Sequence, residues 1–142
     1  MDMIKVVIAD DQELIRQSLR LIIDARPDMK VDFVAEDGEA LIEHIRKSQP
    51  DVILMDIRMP KINGVECTKI IKNKYPQIKI LILTAFEDDE YIFNAIKYGA
   101  NGFLLKGVKT SELIDAIRLV YEEGSPVNPM VAVKLFNYFS QM

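Results

Sequence analysis

The sequence predicts an α/β fold, a doubly wound five-stranded parallel sheet with helices on both faces. Short apolar runs alternate five times with segments in which apolar residues recur at helical spacing, and this alternation is typical of strand–helix–strand units. Most of the runs are apolar almost throughout, as parallel strands are when helices cover both faces of their sheet. The length of 142 residues, of which 49% are apolar, is that of one domain with a sizeable core.

Five apolar runs predict the strands. They are residues 4–9, 31–35, 52–55, 78–83 and 102–105. The second run contains Asp32, which indicates a strand at an edge of the sheet. Five repeats are too few for an eight-stranded barrel, and right-handed crossovers place the helices on both faces. The strand order 2-1-3-4-5 of flavodoxin-like sheets fits this pattern.

The first two helices are predicted from apolar spacing and from the residues at their ends. Apolar residues recur at helical spacing over 14–23, and this helix ends before Pro27. The second helix follows Asp37, whose short carboxylate suits an N-cap, and ends before Pro50.

The other three helical segments are also bounded by residues that favour helix ends. The bounding residues are Asn63 and Pro76 for the third helix, Asp88–Asp89 and Gly99 for the fourth, and Thr110 and Gly124 for the fifth.

Composition and charge exclude several classes of protein. The chain has 18 basic and 22 acidic residues, a balance that argues against broad nucleic-acid binding by these residues. A single cysteine, Cys67, excludes an intramolecular disulfide, and a single histidine, His44, excludes a His-rich metal site. We interpret His44 as a surface residue and Cys67 as semi-buried. No apolar run exceeds four residues, which excludes a membrane span or signal peptide and predicts a cytoplasmic location.

Polar residues follow four of the five predicted strands. Asp10 and Asp11 follow the first strand, Asp56 the third, Thr84 the fourth and Lys106 the fifth. Each alone has an ordinary explanation, such as a helix cap, a turn residue or a solvated side chain. Because the carboxyl ends of parallel strands meet at one edge of the sheet, we expect all five side chains to lie together.

This set of side chains predicts phosphoryl-transfer chemistry. Three clustered carboxylates repel one another, and a hard divalent cation relieves that repulsion. Oxygen donors without histidine or thiolate favour Mg²⁺ over zinc. Lys106 supplies a second positive charge for phosphoryl oxygens and Thr84 a hydroxyl donor. A carboxylate is able to act as the nucleophile and form an aspartyl phosphate.

The chain resembles the receiver domain of bacterial two-component response regulators over residues 3–123, and within that family the NarL/FixJ (LuxR-type) subfamily. Four stretches carry the resemblance. They are Asp10-Asp11, the nine-residue stretch 56–64 (Asp-Ile-Arg-Met-Pro-Lys-Ile-Asn-Gly), Thr84-Ala85, and Phe103-Leu-Leu-Lys106.

The resemblance implies a role for each residue at the strand ends. Asp56 would accept a phosphoryl group from a phosphohistidine of a sensor histidine kinase. Asp11, Asp56 and the backbone carbonyl of Arg58 would ligate Mg²⁺, and Asp10 would act through a metal-bound water. Lys106 would pair with Asp56 and then with the phosphoryl group.

The resemblance also implies a switch. Thr84 would hydrogen-bond the phosphoryl group, and Phe103 would rotate inward as Thr84 moves; the alternative is that Phe103 is a static core ring. Two positions are informative. Gly107 stands where the family commonly has a proline, often after a cis bond. Phe86 leads to the hypothesis that its bulk shields the phosphoryl group from water.

Residues 124–142 are interpreted as a linker with a short amphipathic helix, leading to a DNA-binding output domain outside this sequence. The alternative is a helix packed on the domain's own surface. On phosphorylation the chain would form a homodimer, either through the first and fifth helices or through the fourth helix, fifth strand and fifth helix. By this interpretation the chain is a signalling switch and not an enzyme, apart from promoting its own phosphorylation and dephosphorylation, and it has no membrane partner.

Other functions are weighed on specific residues. A stand-alone receiver and a phosphorylation-independent pseudo-receiver remain open alternatives. A haloacid-dehalogenase-type phosphatase needs an acid two residues after its aspartyl nucleophile, and here that residue is Arg58. A flavodoxin needs a hydroxyl- and glycine-rich loop after the first strand, where this chain has Asp10 and Asp11.

Overall fold

The computed structural model describes residues 3–85 and 89–123. They form a five-stranded parallel sheet of order β2-β1-β3-β4-β5, in which each strand is followed by a helix. The elements are β1 (Ile4–Ala9), α1 (Glu13–Asp24), β2 (Met29–Ala35), α2 (Gly38–Lys47), β3 (Val52–Met55), α3 (Gly64–Lys74), β4 (Lys79–Thr84), α4 (Asp89–Lys97), β5 (Gly102–Leu105) and α5 (Thr110–Glu123). The predicted fold class and strand order are confirmed.

Some predicted features lie outside the described residues. They are the linker helix within residues 124–142, the shielding role of Phe86, and the part of the fourth-helix start that falls on Asp88. None of the helices in the described ranges has the length and hydropathy that a membrane span requires.

The sheet separates two apolar layers because successive side chains of a strand point to opposite faces. In β1, Val7 and Ala9 belong to the layer under α2, α3 and α4, whereas Val6 and Ile8 belong to the layer under α1 and α5. The central strand β3 is buried along its whole length. This arrangement leaves only loops and helix ends at the carboxyl edge of the sheet.

Two predicted strands differ slightly from the observed ones. β2 begins at Met29, two residues before its apolar run, because it pairs with the full length of β1. β4 begins and ends one residue later than predicted and includes Thr84, which pairs in register with Leu105. As predicted, the strand that contains Asp32 lies at an edge of the sheet.

Short polar side chains cap α2 and α3 as predicted. The Asp37 carboxylate accepts from the Ala40 N–H at 2.8 Å, and the Asn63 side chain accepts from the Glu66 N–H at 3.0 Å. Helix α1 differs, because its N-cap residue is Gln12 and that side chain makes no capping bond. Asp10 accepts from the Gln12 N–H at 2.9 Å instead, so this carboxylate bonds the N-cap residue and does not itself cap α1.

The prediction that His44 is a surface residue was wrong. Its ring is half-buried and stacks on Phe33 of the edge strand, with centroids 4.0 Å apart and planes 4° apart. Stacking between α2 and β2 buries apolar ring area that a solvated histidine would leave exposed. Cys67 is fully rather than partly buried, and burial raises the pKa of its thiol to about 12.

Candidate functional site

The acidic residues predicted at the strand ends lie in one cluster. Asp10 and Asp11 follow β1, and Asp56 follows β3, which pairs directly with β1. The Asp56 N–H donates to the Ala9 carbonyl at 2.9 Å and so continues the ladder between these strands. One carboxylate oxygen from each aspartate lies within 4.8 Å of the others. Asp10 and Asp56 are buried and Asp11 is exposed, so the cluster opens to solvent on the side of Asp11.

Lys106 reaches this cluster from the end of β5. Its N–H donates to the Thr84 carbonyl at 2.7 Å, which fixes the backbone beside β4. Its Nζ lies 2.7 Å from Asp10 Oδ2 and 3.5 Å from Asp56 Oδ2. The resemblance implies a pair with Asp56, but the shorter contact is with Asp10. A single ammonium group therefore contacts two buried carboxylates, and its one charge offsets only part of theirs.

Asp10 is the most constrained acid of the three. Its Oδ1 accepts from the Gln12 N–H, and its Oδ2 contacts Lys106. Its backbone carbonyl accepts from Arg16 Nη1 at 2.8 Å. Sequence reasoning missed the contacts of Gln12 and Arg16. The contact with Gln12 had a signal in the sequence, because aspartate side chains such as that of Asp10 commonly accept from the backbone N–H two residues on.

The electrostatics of the cluster follow from burial and charge. Burial raises the pKa of Asp56 to about 6; the charge of Asp10 and, more weakly, that of Asp11 add to the rise, while Lys106 opposes it. Burial alone would lower the pKa of Lys106, but its hydrogen bond to Asp10 and the charges of Asp56 and Asp10 raise that pKa above its ordinary value. The cluster therefore carries more negative charge than Lys106 offsets.

The other predicted residues surround the cluster at different depths. Thr84 is buried at the end of β4, and Phe103 in β5 is 1% exposed within the layer under α2, α3 and α4. Arg58 is exposed two residues beyond Asp56. No peptide bond in the described ranges is cis, and Gly107 adopts a φ of +97°. A proline, whose φ is fixed near −65°, does not fit that conformation.

Gly64, the last residue of the stretch 56–64, supports the cluster from beneath. It is the first residue of α3, and its N–H donates to the Ile57 carbonyl at 2.7 Å. A Cβ at this position would overlap the carbonyl oxygen of Asp56. The glycine therefore lets α3 begin directly against the backbone that carries Asp56. The sequence contains this glycine at the end of the stretch 56–64, but the close approach of α3 to the Asp56 backbone appears only in the folded structure.

The donor set fits a hard divalent cation. The cluster offers three carboxylates and contains no histidine or thiolate, and Mg²⁺ prefers oxygen ligands and retains waters. Burial and the charge of Asp10 raise the pKa of Asp56 more than Lys106 lowers it, and a bound cation would favour the ionised carboxylate.

Replacing Asp56 by asparagine should stabilise the protein by about 1 to 2 kcal/mol at pH 7.5 without divalent metal, allowing for solvent screening. The Asp56 pKa is about 6 in the fold, above the ordinary 3.8, so the fold favours the protonated acid. The carboxyl group therefore adds stability at low pH that is lost as the pH rises from about 4 through about 6. The gain from Asp56→Asn should accordingly appear across that window and stay constant above it.

Urea denaturation in a chelating buffer at pH 4 and pH 7.5 measures this gain. The exposed Asp11, changed to asparagine, is the matched control and should give a smaller gain. A variant Asp56→Asn that is no more stable than the wild type at pH 7.5 would contradict the electrostatic account.

Comparisons with known proteins agree with this geometry. The family model described as "Response regulator receiver domain" matches residues 6–118. The chain is 39% identical to the transcriptional regulatory protein DegU of Brevibacillus brevis, covering 98% of this chain and 59% of the relative. It is 43% identical to the transcriptional regulatory protein YxjL of Bacillus subtilis, covering 96% of this chain and 62% of the relative.

A solved structure gives the same result for the fold. The chain is similar to a two-component response regulator of the LuxR family from Aurantimonas sp. SI85-9A1, with a TM-score of 0.87 and 26% identity. That match covers 98% of this chain and 99% of the other. By contrast, the chain spans only 59% and 62% of the two curated relatives above.

Proposed function

This chain belongs to the response regulator receiver domain family, and we propose that it is a phosphorylation-controlled switch whose phosphoacceptor is Asp56. Proteins of this family are regulators and not enzymes in the usual sense. The observation that carries the proposal is the position of Asp56, a buried carboxylate inside a cluster of three, with a lysine Nζ 3.5 Å away.

The proposed reaction transfers a phosphoryl group from a phosphohistidine of a sensor histidine kinase. A carboxylate oxygen of Asp56 attacks phosphorus, a P–O bond forms, and the P–N bond breaks. The imidazole nitrogen leaves with the electron pair and takes a proton from solvent. With a pKa of about 6, Asp56 is mainly ionised at pH 7.5 and so is nucleophilic without a separate base.

Charge neutralisation is the main task of the surrounding residues. Asp11, Asp56 and the backbone carbonyl of Arg58 would hold Mg²⁺ directly, with Asp10 acting through a water. Bound Mg²⁺ would neutralise charge on the phosphoryl oxygens. Lys106 already lies between Asp10 and Asp56, so only a short movement of its Nζ brings it to a phosphoryl group on Asp56.

Thr84 and Phe103 are proposed to pass the change to the surface. A phosphoryl group adds a charge of about −2 at one point, which is sufficient to bias a loop between two positions. Thr84 would bond the new oxygen and move toward it. Its carbonyl accepts the Lys106 N–H, and it pairs with Leu105, so movement of Thr84 acts directly on the end of β5. Phe103 is already buried in the layer under α2, α3 and α4, so the proposed inward rotation would start from a state in which its ring is turned outward.

The output that fits the relatives is control of transcription. Both curated relatives are named transcriptional regulatory proteins. We propose that residues 3–123 form the receiver and that 124–142 link it to a DNA-binding domain outside this sequence. Phosphorylation would promote a homodimer that binds DNA through that domain, in the cytoplasm where the sensor kinase delivers its phosphoryl group.

Intact-protein mass after incubation with acetyl phosphate and Mg²⁺ tests the proposal. We expect a gain of about 80 Da, the mass of one phosphoryl group, which is absent in Asp56→Asn and after chelation of Mg²⁺. The exposed Asp115, changed to asparagine, is the control and should retain the gain. A folded wild type that gains no mass from acetyl phosphate or from phosphorylated sensor kinases would refute the proposal and indicate a pseudo-receiver.

A further inference from the structure

A basic groove lies between α3 and α4, away from the aspartate cluster. Its volume is about 840 Å³. Because α3 begins at Gly64 beside Asp56, the groove residues in its later turns lie toward the opposite edge of the sheet. Its lining includes Lys69, Ile70, Lys72, Lys74, Lys97 and Tyr98. Its location separates the groove from the proposed phosphorylation chemistry, on which this inference does not depend.

The groove carries positive charge on an acidic chain. Four lysines line it against one acid, Glu66, while the whole chain has a net charge of −4. A local excess of one sign focuses the electrostatic field and attracts groups of the opposite sign. The groove is therefore electrostatically distinct from the rest of the chain.

Helix-end electrostatics account for part of this charge. Lys72 and Lys74 lie in the last turn of α3, and Lys97 lies in the last turn of α4, where cations oppose the helix dipole. Lys72 is also held by the segment after α3, since its Nζ donates to the carbonyls of Pro76 at 3.2 Å and Ile78 at 2.6 Å. Its ammonium group is therefore committed to the protein.

Helix-end electrostatics do not fully account for the other side chains of the groove. Lys69 lies outside the last turn of α3, and its Nζ sits 5.2 Å from the ring centroid of Tyr98. Lys69, Lys74 and Lys97 are exposed. Ile70 lies among these lysines and is 41% exposed. Because exposed apolar area is unfavourable in water, covering this side chain would be favourable. Apolar area flanked mainly by charges of one sign suits a partner segment of the opposite charge.

We propose that this groove docks an acidic peptide segment of a partner protein, with an apolar side chain of that segment resting on Ile70 and Tyr98. Carboxylates of the segment would face Lys69, Lys74 and Lys97. A peptide fits better than a nucleic-acid duplex, because Ile70 and Tyr98 line the groove beside the lysines and a phosphate backbone offers neither of them an apolar contact.

Fluorescence anisotropy with a labelled peptide of glutamates around two central leucines tests this proposal. The double variant Lys69→Gln/Lys97→Gln should weaken binding about fivefold or more, because it removes two of the three available charges. The control Lys30→Gln/Lys47→Gln changes net charge equally at exposed lysines outside the groove, and it should weaken binding less than about twofold.

A second variant tests the apolar part of the groove with all charges intact. Ile70→Ser should weaken the same peptide about fivefold, and amide shifts on peptide addition should map to residues 69–74 and 97–98. Equal weakening by both double variants, no binding by the wild type, or tighter binding of a labelled DNA duplex that ignores Ile70→Ser would each overturn the proposal.

Discussion

Changing Lys106 to methionine should destabilise the protein by about 3 kcal/mol in metal-free buffer at pH 7.5. Lys106 Nζ lies 2.7 Å from Asp10 and 3.5 Å from Asp56, and its side chain is 15% exposed. Methionine keeps much of the volume of lysine but removes its charge. Two buried carboxylates and the exposed Asp11 then lie close together with no lysine to offset their charge. Removing one partner of a buried ion pair costs far more than replacing both partners by apolar residues.

Urea denaturation with EDTA measures this loss in the free energy of unfolding. Lys109→Met, at an exposed lysine three residues further along, should cost less than about 0.5 kcal/mol and is the control. Adding Asp10→Asn to Lys106→Met should recover more than half of the loss, because the strongest repulsion is then gone. A loss that Asp10→Asn leaves unchanged would indicate that Lys106 acts through packing and not through charge.

The same variant links stability to metal binding. If the three carboxylates hold a divalent cation, millimolar Mg²⁺ should raise the unfolding free energy of Lys106→Met more than that of the wild type. In the wild type Lys106 already offsets part of the negative charge, and a ligand that binds the native state stabilises it by RT ln(1 + [L]/Kd), which increases as the ligand binds more tightly. Equal Mg²⁺ stabilisation of both proteins would place the cation too far from Lys106 for the two charges to interact.

Strand ends were predictable from sequence because the period and length of apolar runs are local properties. Asp10, Asp56 and Lys106 each directly follow a run, and parallel topology then places them at one edge. The partner of Lys106 was not predictable in this way. Whether its Nζ lies nearer Asp10 or Asp56 depends on the 0.8 Å difference between contacts of 3.5 and 2.7 Å, which no spacing along the chain encodes.

The misjudged residues are those whose environment comes from distant segments. His44 has the helical position of a half-exposed residue, but the edge strand presents Phe33 to its ring. The α3–α4 groove also has no local signature. Lys69 and Lys97 belong to different helices, and each alone has the pattern of an ordinary solvated lysine. Such features arise from packing between elements, whereas the elements themselves arise from local patterns.

A glycine supports the backbone of Asp56, the proposed phosphoacceptor, and Gly64→Ala should therefore cost about 3 kcal/mol. The added Cβ would overlap the Asp56 carbonyl and approach Ile57 Cα. Both are backbone atoms, so the loop that carries Asp56 must move and the cluster must open. Urea denaturation should show the loss, and intact mass after acetyl phosphate treatment should show a reduced phosphorylated fraction even where the variant is fully folded.

Gly107 supplies the control for this prediction. It lies at the same edge of the sheet, but what constrains it is its backbone φ and not a steric contact. A Cβ there meets no atom within 4 Å, but the φ of +97° is unfavourable for alanine. Gly107→Ala should cost only about 1 kcal/mol, as backbone strain without a clash. If Gly107→Ala proved the more damaging change, or Gly64→Ala left both stability and phosphorylation intact, close approach of α3 would not be what positions Asp56. The expected order instead makes the β3–α3 junction a steric support for Asp56, since of these two glycines the one beneath Asp56 costs more to replace.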